Sequence, residues 1–283
     1  MYWAPQPEVA PSSSIRRAAA QRLRNDTSGE ARGTLLERCS SHSAAREVGH
    51  VLRLETAPFH LSRNLMASGT SISFRGCSLV ASDAAVLAIA ISNGALHCCR
   101  DLDLVGNMIG DGLEALSLAL GAGALPRLVS LWLCGTGVTD SGVSHLAMAL
   151  VRRDSLRTGW MQRPSCLTAL HLSRNQISDA GAHTLAASAA RGLRACSILR
   201  LSHNHIGNDG LNVLAACEWP RLERLYISHN EYSDSSELSS AIEEGVRLPA
   251  LMQLHVDDTT GTGMVNACSA RLVTLSPGRK LSR

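Results

Sequence analysis

Aromatic residues are scarce. Two Phe, three Tyr and four Trp make up 3% of the 283 residues, while apolar residues reach 45%. A core is therefore affordable, but it has to be built from Leu, Ala, Val and Ile. Lysine is scarcer still: of the 27 basic residues all but Lys280 are Arg, a bias from which no function is read. Excess charge of one sign is also lacking, and a net +3 is too small to argue for a nucleic-acid binder. By length alone the chain holds one or two domains, or one elongated array.

Long hydrophobic runs are missing too. The least charged stretch, 84–99, is shorter than a bilayer span and contains Ser92, Asn93 and His97. Glu8 and several prolines interrupt the start, so no signal peptide is read there, and a soluble protein is expected. The cysteines (Cys39, Cys77, Cys98, Cys99, Cys134, Cys166, Cys196, Cys217 and Cys268) are odd in number, and none forms a CxxC pair. Several fall on interior positions of the repeat described below. They read as core thiols of a reducing compartment rather than as a disulfide framework or a zinc site. A Walker loop, a GxGxxG unit, an HExxH pair and a GxSxG elbow are all absent from the sequence. Asp and Glu fall mostly at helix caps or on solvated helix faces. The expectation is no enzyme, no catalytic residue, no cofactor, no metal and no small-molecule substrate.

What the chain does have is a repeat. LDLVGNMI starts at Leu102, LWLCGTGV at Leu131, LHLSRNQI at Leu170, LRLSHNHI at Leu199 and LYISHNEY at Leu225. Weaker copies are ISFRGCSL from Ile72 and LHVDDTTG from Leu254. The starts differ by 30, 29, 39, 29, 26 and 29 residues. A fixed period in this range decides the architecture before any motif does.

Each copy has a physical logic. L-x-L is a short strand whose period of two sends both Leu side chains to one face. Asn107, Asn175, Asn204 and Asn230 turn the chain, and their amides can bond backbone groups that a buried turn leaves unpaired. Cys77, Thr136 and Thr259 replace the Asn elsewhere, so those copies should be less regular. I-x-D-x-G follows, as ISDAG, VTDSG and IGNDG, with Asp or Asn as a natural helix N-cap. Val143, Leu146, Ala147 and Leu150 then have helical spacing, as do Ala84, Leu87, Ala88 and Ile91. Strands are expected near 71, 101, 130, 169, 198, 224 and 253, and helices near 82, 111, 140, 179, 208 and 234. No unit buries its apolar face alone, so neighbours must stack.

These motifs resemble leucine-rich-repeat proteins of the ribonuclease-inhibitor type, with repeats of 28–29 residues. The resemblance implies an α/β fold: a right-handed solenoid, or horseshoe, with a single parallel sheet on the concave face and helices on the convex face. It divides the chain into an arm at 1–50 (extended, with short helices), a repeat domain at 51–264 of about seven repeats, and a basic tail at 265–283. LRLETAPF, from Leu52, is a candidate degenerate first strand or cap.

Two surfaces are candidates for partner binding. Between the two Leu positions lie Ser73, Asp103, Trp132, His171, Arg200, Tyr226 and His255, of which Trp132 to His255 form a ladder of rings and one guanidinium. Before the Asn position lie Gly76, Gly106, Gly135, Arg174, His203, His229 and Asp258. A metal held by His203, His229, His255 and Asp258 would need a tetrahedral array, which flat sheet columns seldom offer. The long repeat step holds an insertion at roughly 151–166, where Arg152, Arg153, Arg157 and Arg163 surround Trp160 and Met161. Such insertions leave a solenoid as a loop and often bind; the bland alternative folds Trp160 back over the helix ends.

The favoured expectation is a non-catalytic protein–protein interaction scaffold. The setting would be a structural subunit of a large cytoskeletal or ciliary axonemal assembly in the cytoplasm. Its partners would be proteins, several subunits of one complex, with no membrane and with nucleic acid disfavoured. The alternative is a GTPase-activating protein resembling the Ran regulator, with Arg75 as the only arginine near an early strand.

Overall fold

The computed structural model describes residues 70–94, 96–155 and 167–256. Within them the chain alternates strand and helix without exception. The strands are β1 (Ser71–Ser73), β2 (Asp101–Asp103), β3 (Ser130–Trp132), β4 (Ala169–His171), β5 (Ile198–Arg200), β6 (Arg224–Tyr226) and β7 (Gln253–His255). The helices are α1 (Ala81–Ser92), α2 (Leu113–Gly121), α3 (Asp140–Ser155), α4 (Asp179–Ser188), α5 (Asn208–Ala216) and α6 (Ser236–Glu244). A single 3-10 turn, Gly110–Gly112, leads into α2. All seven strands start where the repeat placed them.

The strands form one open parallel sheet in strict sequence order, β1 to β7. Its register pairs equivalent residues of successive repeats, such as Leu131 with Leu170 and Leu199 with Leu225. Consecutive helices pack on one another in the same order. The result is a solenoid in which every repeat covers its neighbour's apolar side.

The core is continuous from Ile72 to Leu254. Three columns line it: Leu102, Leu131, Leu170, Leu199 and Leu225 on the first strand position; Leu104, Leu133, Leu172, Leu201 and Ile227 on the second; Ile109, Val138, Ile177 and Ile206 after the turn. All are buried, as are Val143, Leu146, Ala147 and Leu150 from α3, and Ala84, Leu87, Ala88 and Ile91 from α1. Alanines on the helices let the helices approach closely, which explains how a core with few aromatics closes. Cys77, Cys99 and Cys196 are buried in the core, and burial pushes the Cys196 thiol up to about 12.

The turn asparagines do what their chemistry allows. Asn175 accepts the backbone N–H groups of Thr136 and Val138, both at 3.1 Å. Its amide nitrogen donates to the carbonyls of Leu133 (2.7 Å) and Leu172 (2.9 Å). Asn107, Asn204 and Asn230 repeat the pattern, each bonding its own turn and the preceding one. Thr136 keeps only part of it, donating its hydroxyl to Leu133 O at 2.8 Å.

Two expectations need correction here. The Asp of I-x-D-x-G is expected to cap its own helix, but Asp140 and Asp179 lie inside the first turn and serve the next repeat. Asp179 Oδ1 accepts the N–H groups of Gly207 (2.6 Å) and Gly210 (2.9 Å) at the start of α5. The insertion also begins later than expected, because α3 continues to Ser155. Arg153, expected in a binding loop, is buried in that helix, and its guanidinium donates to Leu125 O at 2.9 Å. It is a structural residue. Arg152 is exposed on the last turn. Arg157, Trp160 and Arg163 lie outside the described residues, as do the arm, LRLETAPF, Thr259 and the tail.

Candidate functional site

The strand period that buries the Leu columns turns the residues between them outward. Register pairs Asp103 with Trp132, Trp132 with His171, His171 with Arg200, Arg200 with Tyr226 and Tyr226 with His255. Adjacent strands are about 4.8 Å apart, close to the stacking distance of flat groups. The side chains stack accordingly. The Trp132 and His171 rings are 3.8 Å apart and nearly parallel, at 5°. Arg200 lies 4.3 Å over the Tyr226 ring, and Tyr226 stacks on His255 at 4.1 Å.

Stacking changes the character of the ladder. His171 was expected to stand open on it, yet it is 2% exposed. Trp132, Arg200, Tyr226 and His255 are half-buried. Burial first, and the Arg200 cation second, lower His171 from the ordinary 6.5 to about 4. The same two causes, in the same order, lower His255. Both rings are therefore held towards the neutral form.

The second column lies at the turn. Gly76, Gly106 and Gly135 have φ of +62°, +71° and +61°. Arg174, His203 and His229, one to a repeat thereafter, have φ of +59°, +58° and +56°. The backbone demand is the same in all six repeats, and only glycine meets it without steric cost. Three consecutive repeats nevertheless carry a large polar side chain there, and all three are exposed. His203 and His229 stack at 4.2 Å with an interplanar angle of 20°. Asp258, next in this column, lies outside the described residues.

The remaining candidates divide by position. Arg75 is held by Asp103, Nε to Oδ2 at 3.0 Å, at the β1–β2 end of the face. Among the described residues, no group of three His, Cys, Asp or Glu is arranged to hold a metal ion. No helix among them is long and apolar enough to cross a membrane. Sequence reasoning overlooked Arg224, which faces outward one position before the buried Leu225 and pairs in register with Ile198. The period-two rule that found the ladder would have found it.

A Leucine Rich repeat family model matches residues 163–186 and 197–215, the repeats that carry Asn175 and Asn204. No curated protein matches the sequence at a significant level. Among solved structures, an internalin of Listeria monocytogenes matches with 21% identity and a TM-score of 0.36, over 64% of this chain and 48% of that one. The Arabidopsis receptor kinase HAESA, solved in complex with a peptide hormone and a co-receptor, matches with 11% identity and a TM-score of 0.24, over 75% of this chain and 46% of that one. The chain thus spans about half the length of these two structures.

Proposed function

We propose that this leucine-rich-repeat solenoid is a non-catalytic scaffold that binds other proteins on the outer face of its sheet. The binding half runs from β3 to β7 along the ring ladder, with the left-handed column beside it after β4, β5 and β6. The observation that carries the reading is the left-handed column. Arg174, His203 and His229 occupy a backbone conformation that their own fold supplies with glycine in three earlier repeats. Such strain costs on the order of 1 kcal/mol per residue and is found where a side chain has work to do at a surface. Stacked, half-buried aromatic and arginine side chains beside it are the residue types that dominate interface energy.

The finer reading follows the family resemblance. Strand-to-strand steps of 29 and 30 residues, with a helix in each, favour the ribonuclease-inhibitor type of repeat. The buried thiols Cys77, Cys99 and Cys196 suit a reducing compartment. The setting we favour, by analogy with other scaffolds of this repeat class, is a large cytoskeletal or ciliary axonemal assembly in the cytoplasm, with several protein partners.

The test is cross-linking of the full chain in native extract, beside a variant carrying R174G, H203G and H229G. Expected are partner cross-links spread along Trp132 to His255, lost in the variant while its melting temperature holds. Cross-links confined to the helical side, or capture that survives the three changes, would overturn the assignment.

A further inference from the structure

The outer face is not electrically uniform. At β2 it carries Asp101 and Asp103, the latter neutralised by Arg75 at 3.0 Å. From β4 to β6 it carries Arg174, Arg200 and Arg224, one per repeat, and among the described residues no carboxylate makes an ion pair with any of them. Glu231, in the turn after Asn230, is engaged by His205 at 2.6 Å. Among the described residues, a protein that is close to neutral overall thus keeps a strip of arginines without a carboxylate partner on one half of one face.

The stacking decides how that strip can be used. Ladder rings face one another along the sheet at 3.8–4.1 Å, so their π-faces are already covered. What remains towards solvent are ring edges and guanidinium groups, which are hydrogen-bond donors. Nucleobases need free ring faces to stack on, and this face offers few. Acceptor-rich groups need donors.

A second observation singles out one spot. The ladder is two stacks, Trp132 on His171 and then Arg200 on Tyr226 and His255, with a seam between His171 and Arg200. At that seam, Nδ1 of His171 and Nε of Arg200 are both buried and, among the described residues, have no hydrogen-bond partner. Buried nitrogens are rarely left so, and two on adjacent paired strands suit an acceptor supplied by a partner. In the tautomer with hydrogen on Nδ1, His171 and Arg200 together would donate to one carboxylate.

We propose that the β4–β6 half of the face binds an acidic protein segment, with a Glu or Asp side chain entering the His171–Arg200 seam and neighbouring carboxylates meeting Arg174 and Arg224. This rests on the reading of the face as a protein-binding surface and adds the partner's chemistry to it. Arginine suits the task, because its planar donors match carboxylate geometry.

The test uses the full chain and three labelled probes: a peptide alternating Glu and Ser, its counterpart with Gln for Glu, and an oligothymidylate of equal charge. Fluorescence anisotropy at low and high salt reads the affinity. The acidic peptide should bind, weaken as salt rises, and lose about tenfold or more in Arg200→Gln. Arg174→Gly should weaken it without lowering the melting temperature. The Gln peptide should bind at least tenfold more weakly. Equal binding of the Gln and Glu peptides, or no loss in Arg200→Gln, would overturn the proposal. Tighter binding of oligothymidylate would overturn it in favour of nucleic acid. Failure of the acidic peptide together with native cross-links on Trp132 to His255 would remove the acidic partner and leave the scaffold reading standing. Failure of both would remove the two together.

Discussion

Oδ1 of Asp140 accepts a hydrogen bond from the backbone nitrogen of Gly181 at 3.0 Å, across a sequence separation of 41 residues. The same carboxylate takes the N–H of Ser178 at 2.8 Å and its hydroxyl at 2.5 Å. Each Asp therefore pins the N-terminus of the helix in the next repeat, where orphan N–H groups and the helix dipole favour a negative charge. The Gly of D-x-G follows from this, since a Cβ on Gly181 would collide with Asp140 Oδ1, and one on Gly210 would lie 2.5 Å from Asp179 Oδ1. Gly181→Ala should destabilise by ~1–3 kcal/mol through overpacking, and Asp140→Ala by ~0.5–2 kcal/mol through loss of the cap. In denaturant titrations the double variant should cost less than the sum, because removing the carboxylate relieves part of the clash. Strict additivity would mean that the two residues do not constrain each other.

The asparagine ladder should rank by burial. Asn175 sits 6% exposed and serves five backbone groups of two repeats, whereas Asn230 is half-buried. Asn175→Ala strands those groups, at roughly 2–3 kcal/mol, and Asn230→Ala should cost about 1 kcal/mol. Asn175→Asp should not rescue, because the carbonyls of Leu133 and Leu172 need a donor. Equal losses at both positions in urea titrations would contradict this ranking.

Strand starts, register and the Asn turn were readable because each depends on one repeat and on a period of two. Asp140 was misread as a local cap because its partners belong to the next repeat, and spacing within one unit carries no information about a lateral bond. Arg153 was misread because helix length is set by what the neighbouring repeat covers, and Leu125 O lies 28 residues away. His171 was found in the correct column, but its burial follows from stacking on Trp132, which composition does not reveal.

The left-handed column separates stability from binding. His203→Gly should leave the melting temperature unchanged or raise it, the equivalent of up to ~1 kcal/mol, because glycine adopts φ of +58° without strain. His203→Val should lower it by about 1–2 kcal/mol, since a β-branched side chain is a poor occupant of that region. Calorimetry of the two variants decides it, and a glycine variant less stable than the valine one would show that His203 has a structural role.

Neighbouring arginines should behave oppositely. Arg153→Ala removes a buried donor to Leu125 O and the packing of its stem, at ~2–3 kcal/mol. Arg152→Ala, on the exposed side of the same turn, should stay within about 0.5 kcal/mol. Comparable effects in thermal melts would place the helix end differently from the arrangement seen here.

His171 makes stability depend on acidity in a direction that can be worked out. Its folded value is about 4, against 6.5 ordinarily, because burial and then the Arg200 cation disfavour the imidazolium. Between those values the unfolded chain binds a proton that the folded chain refuses. The contribution is thus intact above about pH 6.5 and is lost progressively as pH falls towards about 4. His255 is lowered by the same causes and works in the same direction. His171→Phe keeps a flat ring for Trp132 to stack on but cannot take a proton. Melting temperatures of wild type and variant, followed from about pH 7 to about pH 4.5, should therefore converge or cross, with the wild type falling faster. Arg200→Gln removes the second cause, lifts the His171 value towards 6.5 and makes the decline shallower. Parallel curves for wild type and His171→Phe would mean that His171 is not held neutral in the fold, and the His171–Arg200 seam would lose its electrostatic basis.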